Sequence, residues 1–383
     1  MTENWYKEQL RQSHDNDLYR RMLTAHSAPG PKMVIEGEEK KVFCSNNYLG
    51  LANHPEIISA IHGALSQWGF GSGGSRLICG NTEAHNKLQN RLAHSLKKEA
   101  SLLFPSGFSA NNSILSTLPQ KGDLIAIDKL VHASIIDGSR ASRAQVRTWP
   151  HRNTSRLKRL LERGGYRQVF IVTDSLFSMD GDLAFLEELL ELKRKFNTIL
   201  IIDEAHAFGC IGPNGKGLAE QKGCLEDIDI FVGTLSKALG GAGGFLACSR
   251  TIADYLVNNA RGFIYTTGLP AINCVAAQVA LDIMENEPER RKRLQSHAAL
   301  LRKRCRELQL DIGTSQSHII PVILGSPERA TNVSRQLWDK GFWVPAIRPP
   351  TVPPGGSRLR ISLMSEHERD DIEILSEILQ DIL

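Results

Sequence analysis

The stretch Thr198-Ile199-Leu200-Ile201-Ile202-Asp203-Glu204-Ala205-His206 decides the fold. A short, unbroken apolar run rich in β-branched residues is the pattern of a strand covered on both faces, as in a parallel sheet. In doubly wound sheets ligands gather at the carboxyl ends of such strands, so Asp203 and His206 are expected at the rim of a binding site. Similar runs occur at 123–128, 169–173 and 228–232, and helical patterns at 134–144, 157–163 and 183–196 separate them. This alternation implies an α/β fold with a mainly parallel sheet and helices on both faces.

Three regions follow from the patterning. Residues 1–50 read as an N-terminal segment with an amphipathic start and a short strand pair. Residues 51–287 form the large domain, which ends where the helical pattern from Pro270 gives out in charged sequence. Residues 288–383 read as a small C-terminal α/β domain: a strand at 319–324, a helix near 330–340, a proline-rich turn at 345–354, a strand at 358–363 and a last helix after Ser365. Internal repeats and low-complexity segments are absent from the sequence.

The chemistry concentrates in Thr234-Leu235-Ser236-Lys237-Ala238-Leu239-Gly240-Gly241-Ala242-Gly243-Gly244. A lysine amine there can form a Schiff base with an aldehyde, while Thr234, Ser236 and the glycine backbone offer donors to a phosphate. Aldehyde and phosphate together point to pyridoxal 5'-phosphate. A carboxylate at Asp203 would hold a pyridine nitrogen protonated and make the ring an electron sink. Isolated, Lys237 would read as a surface lysine and Asp203 as a turn or cap residue.

With Ser45-Asn46-Asn47-Tyr48-Leu49-Gly50-Leu51, Gly71-Ser72-Gly73-Gly74-Ser75-Arg76, Ser106-Gly107-Phe108, His132-Ala133-Ser134 and Phe177-Ser178-Met179-Asp180-Gly181, these segments resemble the pyridoxal-phosphate-dependent α-oxoamine synthases of fold type I over nearly the whole chain. The resemblance implies a fold type I transferase with a large mainly parallel-sheet domain and a smaller C-terminal α/β domain. Carried onto this sequence, it makes Lys237 the lysine that carries the cofactor and acts as base, Asp203 the pyridinium partner and His132 the stacking imidazole. Ser178 and His206 would bind the phenolic oxygen, and Gly107, Phe108 and Thr234 the phosphate. Thr266 and Thr267 resemble a pair that reaches the phosphate of a neighbouring subunit, which implies a homodimer. Arg360 matches the arginine that grips the amino-acid carboxylate, and Arg20, Asn46, Ser75 and Thr351 fall where the family contacts substrate. Ala346-Ile347-Arg348-Pro349-Pro350-Thr351-Val352-Pro353 and Ser357-Arg358-Leu359-Arg360 look most like the biotin-pathway branch, which implies condensation of L-alanine with a pimeloyl thioester and loss of carbon dioxide. One departure is Glu204, where several family members carry a second aspartate. Coenzyme A versus a carrier protein, and alanine versus glycine, stay open; acetyl transfer to glycine is the alternative within the family.

Composition fits a globular enzyme: 383 residues, 41% hydrophobic, 23% charged and a net charge of +4. Such a small excess makes no case for nucleic acid, and Arg290-Arg291-Lys292-Arg293 reads as a solvated helix face. The seven cysteines lack Cys-x-x-Cys spacing, so neither a disulfide scaffold nor a metal site is expected. The first residues lack a signal-peptide core and no apolar run approaches membrane length, so a cytoplasmic location without membrane association is the expectation. Gly69-Phe70-Gly71-Ser72-Gly73-Gly74 has dinucleotide-fingerprint spacing but follows a helical pattern where a strand is required, which argues against a nicotinamide oxidoreductase.

Overall fold

The computed structural model describes residues 3–383. They cluster into two compact units. The larger comprises Leu51–Ser178 and Leu183–Arg291; the smaller comprises the segment ending at Gly50, Met179–Asp182 and Lys292–Leu383.

The larger unit is built on a seven-stranded sheet. Its spatial order is Ala100–Phe104, Gly244–Cys248, Ile230–Thr234, Ile199–Asp203, Val169–Asp174, Leu124–Asp128, Gln145–Trp149. The last five run parallel, and Gly244–Cys248 lies antiparallel between its two neighbours. Leu102, Ile127, Val172, Ile201 and Val232 from the sheet pack with Ile114 and Leu256 from the helices in one core cluster; burying each such side chain stabilises the fold by about 1.5–3 kcal/mol. In-register pairing sets Asp174 beside Asp203 and Asp203 beside Val232. One rim of the sheet therefore carries Asp174, Asp203 and Thr234 at adjacent strand ends.

Several elements differ from their sequence patterns. The helix expected at 134–144 is Ala133–Ala141, and the chain then enters the edge strand Gln145–Trp149. That strand carries Gln145, Arg147 and Thr148 on a largely exposed edge, so it has no apolar run to betray it. The run at 228–232 becomes a strand two residues later, Ile230–Thr234, which brings Thr234 into the sheet. Beyond Asn286 the charged sequence starts a second helix, Pro288–Glu307. In it Arg291 is not solvated: it is buried and donates to the carbonyls of Met284 and Pro213, because the last carbonyls of the helix Ala271–Asn286 lack intrahelical donors.

In the smaller unit, Lys32–Ile35 and Glu38–Val42 pair as a hairpin. Glu36 and Gly37 at its turn have φ of 51° and 87°, the two left-handed residues of a twisted two-residue loop. Glu38–Val42 also pairs in parallel with Phe342–Trp343. A second sheet places Ser357–Ser362 between Ile319–Gly325 and Ala346–Ile347. Every residue of Ser357–Ser362 is buried, so Arg358 and Arg360 are interior cations rather than members of a solvated face.

Candidate active site

Lys237 stands on the loop that joins Ile230–Thr234 to Gly244–Cys248. The loop is folded back on itself: Leu235 N–H donates to Gly243 O at 3.0 Å, Gly241 N–H to Leu235 O at 2.8 Å and Gly240 N–H to Lys237 O at 2.9 Å. Gly240 has φ +67°, and a Cβ there would lie 2.3 Å from Ala52 N, so only glycine permits this closure. Thr234 Oγ1 donates to Gly243 O at 2.8 Å, accepts from Ser236 N–H at 3.2 Å and lies 2.8 Å from Ser236 Oγ. Gly107 opens the helix Gly107–Thr117, capped by Ser106, and faces Thr234: a Cβ on Gly107 would stand 3.7 Å from Thr234 Cβ. A helix N-terminus beside two hydroxyls suits a phosphate group.

Asp203 is buried and its two oxygens are held separately. Oδ1 accepts from Ala205 N–H at 2.9 Å and Oδ2 from Asn111 Nδ2 at 2.6 Å. Beside it Asp174 is fully buried, and burial first, then the charge of Asp203, pushes its carboxyl well above the usual range. His132 caps the helix Ala133–Ala141 through Nδ1, which accepts from Ser134 N–H at 3.3 Å, and the backbone N–H of His132 donates to Asp174 Oδ1 at 3.4 Å. His132 keeps substantial solvent exposure; desolvation of the ring, with a further push from Lys237, lowers its pKa against the pull of Asp203. Phe108 meets it edge-on at 6.4 Å. His206 is buried three residues after Asp203, and Ser178 is half-buried.

Glu204 faces the other way. Its carboxylate accepts from Ser175 Oγ at 2.6 Å, Ala219 N–H at 2.8 Å and Leu218 N–H at 2.9 Å. Burial pushes it up to about 7 in spite of these three donors. A Cβ on Gly217 would lie 2.4 Å from its Oε2, so glycine is needed for the longer acidic side chain to reach Leu218.

Thr266 and Thr267 lie on a different loop of the same unit. Thr267 bridges to Ser75, Gly268 N–H donates to Gly74 O at 3.0 Å, and Ser72 Oγ donates to Gly268 O at 2.5 Å. The glycine-rich segment carrying Ser75 is therefore paired with the threonine segment. His85 anchors the same stretch through Leu269 O at 2.7 Å.

The smaller unit holds the remaining residues in two groups. Arg360, buried, donates to Ser362 Oγ at 2.7 Å and lies 3.4 Å from Asn46 Oδ1 and 3.5 Å from Tyr48 OH. Tyr48 OH donates to Asn46 Oδ1 at 2.9 Å. The second group joins Arg20, which donates to Pro349 O at 3.1 Å, with Arg348, which donates to Asp17 O and to Tyr19 O at 3.2 Å. Burial, then the nearby charge of Arg20, lowers the pKa of Arg348. Thr351 N–H closes the turn on Arg348 O at 3.1 Å.

Sequence reading assigned no role to Asn111, Ser134 or Asp174, which belong to this constellation. The available signal was weak: Asn111 shares its helix's buried positions with the polar Ser113 and Thr117 as well as Ala110, Ile114 and Leu115, whereas Asp174 ends an otherwise apolar strand.

The site can be tested for its cofactor on this structure alone. An amine, two hydroxyls, a helix N-terminus, a buried carboxylate and an imidazole lie along one rim, and the charge of Lys237 acts on both His132 and Asp174. The donor set fits a planar aromatic aldehyde with a phosphate arm.

Known proteins agree. The chain belongs to the aminotransferase class I and II family, whose model matches residues 38–379. It is 44% identical over 368 residues to 8-amino-7-oxononanoate synthase of Geobacter sulfurreducens, covering 95% of this chain and 94% of that one. It is 41% identical over 374 residues to 8-amino-7-oxononanoate synthase 2 of Bacillus subtilis, covering 97% and 96%. Among solved structures, a serine palmitoyltransferase from S. paucimobilis with pyridoxal phosphate bound superposes with a TM-score of 0.94 at 29% identity, covering 99% of this chain and 96% of that chain. An 8-amino-7-oxononanoate synthase from Francisella tularensis gives 0.77 at 32% identity, covering 89% and 96%. Within the larger class the chain is thus a member of the 8-amino-7-oxononanoate synthase family, and it is a pyridoxal-phosphate-dependent acyltransferase. Among the described residues no helix is long and apolar enough to cross a membrane.

Proposed function

We propose that this enzyme condenses L-alanine with a pimeloyl thioester, releasing carbon dioxide and free thiol, to form 8-amino-7-oxononanoate. Pyridoxal phosphate, when bound, supplies the electron sink that makes the α-carbon of the amino acid nucleophilic. The protein's part is carried by named groups. Lys237 would hold the cofactor through its amine, and the same amine, when free, is placed to take the α-proton of the amino acid. Asp203 keeps the ring nitrogen protonated, because a buried carboxylate favours a facing cation. Gly107, Phe108 and Thr234 would anchor its phosphate, and Ser178 and His206 would hold its phenolic oxygen. His132 would stack on the cofactor and present a proton to the reacting carbonyl. Arg360, kept straight by Ser362 and flanked by Asn46, takes the amino-acid carboxylate. Ser75 lies on the substrate side. Thr266 and Thr267 reach the phosphate of a second copy, so that the working enzyme is a homodimer with composite sites.

The observation that carries the acyl specificity is the pairing of Arg20 with Arg348 at the Pro349 turn beside Thr351. Two guanidiniums of like charge at one turn favour an anion between them, and a pimeloyl chain ends in a carboxylate where an acetyl group ends in a methyl. The test is direct competition of pimeloyl thioester plus L-alanine against acetyl-CoA plus glycine, with products identified by mass. The first pair should dominate, and Arg20→Ala should penalise pimeloyl far more than shorter acyl chains. Preference for acetyl-CoA and glycine would move the chain to acetyl transfer.

A further inference from the structure

Asp203 and His132 are joined through two buried side chains, Asn111 and Ser134. Asn111 Nδ2 lies 2.6 Å from Asp203 Oδ2 and 3.0 Å from Ser134 Oγ, and Ser134 Oγ lies 2.7 Å from His132 Nδ1. Asn111 and Ser134 are both buried, at 2% and 0% exposure, so solvent does not compete for the bond between them or for the bond from Asn111 to the buried Asp203.

The direction of every bond in this chain can be worked out from its two ends. A carboxylate only accepts, so the Asn111 amide must turn its NH2 to Asp203. One N–H is then committed to Oδ2 and the other points at Ser134 Oγ, which makes that oxygen an acceptor. Its own proton remains, and His132 Nδ1 is 2.7 Å away. From the opposite end, the backbone N–H of Ser134 also points at Nδ1, at 3.3 Å. A backbone N–H cannot reverse its role, so Nδ1 is the unprotonated nitrogen. Both ends require the same assignment, and the imidazole must carry its proton on Nε2.

We propose that Asn111 and Ser134 are positioning residues which lock His132 in the neutral Nε2–H tautomer and couple that lock to the orientation of Asp203. Nε2–H is then a fixed hydrogen-bond donor, suited to the carbonyl oxygen of the acyl thioester as negative charge develops there. The same amide sets the plane of the Asp203 carboxylate, leaving its remaining lone pairs for the pyridinium. A charged His132 is opposed by the two donors on Nδ1 and by Lys237, and favoured by Asp203 and Asp137; the hydrogen bonds decide for the neutral ring. The consequence for the reaction rests on the cofactor placement proposed above, but the tautomer does not.

The test uses full-length protein with ¹⁵N-labelled histidine, examined without cofactor and again with it, and His132 is assigned by its loss in His132→Gln. Near neutral pH the His132 ring should show one form, protonated on Nε2 alone. Asn111→Ala does not touch His132, yet it should let part of the population move to the Nδ1–H form, because Ser134 Oγ loses the donor that directs its proton and the long 3.3 Å bond from the Ser134 backbone N–H is then the remaining hold on Nδ1. Ser134→Ala should do the same and Ser134→Thr should restore the single form, a pair that decides the matter if Asn111→Ala fails to fold. In the loaded enzyme both disruptive variants should lower kcat more than they raise KM. An Nδ1–H ring in the unmodified protein, or an unchanged His132 pattern in folded Asn111→Ala and Ser134→Ala, would overturn the proposal. Lysine labelling at a residue other than Lys237 would instead undo the cofactor placement and leave the tautomer result standing.

Discussion

Replacing Asp203 by asparagine separates two functions of one side chain. In the folded protein Oδ1 accepts from Ala205 N–H at 2.9 Å and Oδ2 from Asn111 Nδ2 at 2.6 Å. An amide offers one oxygen, so one donor must face an NH2 group in a buried site. An unsatisfied buried donor costs about 1–3 kcal/mol, and relief of the repulsion between Asp203 and Asp174 offsets part of that. Asp203→Asn should therefore lower the urea stability of the cofactor-free protein by roughly 1–2 kcal/mol. The catalytic loss is larger. A facing carboxylate shifts the pKa of its partner by about 1–3 units, so its removal lowers the protonated fraction of the ring about 10- to 1,000-fold at a pH above the new pKa. Turnover should fall by a comparable factor and recover in part as pH is lowered, while Lys237 still retains cofactor. Steady-state rates across pH, with cofactor content measured on the same samples, are the assay. A variant within about threefold of the parent at all pH values, a loss far smaller than that shift predicts, would refute the electron-sink role of Asp203.

Lys237→Ala should abolish turnover without unfolding the protein, and borohydride reduction of the parent followed by peptide mapping should place the modified lysine at 237; modification elsewhere contradicts the assignment. Mixing Lys237→Ala with a variant altered at Thr266 and Thr267 should restore up to about a quarter of parental activity, since random exchange makes half the dimers hybrid and each hybrid has one intact site. Failure of verified hybrids to regain activity would argue against composite sites. His318 is fully buried, and burial, then Arg360, lowers its pKa to about 3. The unfolded chain binds a proton near pH 6.5 that the folded state refuses, so this group's stability contribution is complete above pH 6.5 and is lost as pH falls toward 3. Relative to the parent, His318→Phe should gain about 1.4 kcal/mol per pH unit below 6.5. Glu204 and Asp174, whose raised values give the opposite slope, are common to both proteins and cancel. A stability difference that stays constant between pH 7.5 and 5 would contradict this.

Much of the site is readable in one dimension because its constraints are local. The lysine between hydroxyls and glycines is confined to the turn after one strand, and Asp203 and His206 follow directly from the end of another. Even the register of the site follows in outline, since strands that run parallel bring their carboxyl ends to one rim. The Ser106-Gly107-Phe108 segment reads as a helix start for the same reason: capping is decided by neighbours in sequence.

What escaped was set by closure over long separations. The bond from Asn111 to Asp203 spans 92 residues and exists only because the helix Gly107–Thr117 packs against the sheet. No periodicity marks which of Asn111 and Asn112 will face inward until the register of that packing is known. Arg291 reads as a solvated charge because its partners, the carbonyls of Met284 and Pro213, are backbone atoms without a sequence signature. Arg20 and Arg348 lie 328 positions apart, and their meeting at the Pro349 turn depends on the path of the N-terminal segment, whose strand Glu38–Val42 pairs with Phe342–Trp343. Sequence alone determined which residue types stand at strand ends and helix starts, because backbone geometry and hydrophobic burial act over a few residues. Which distant polar atoms share a hydrogen bond was decided only by the packed tertiary structure, because a buried donor takes whatever acceptor the fold places within about 3 Å.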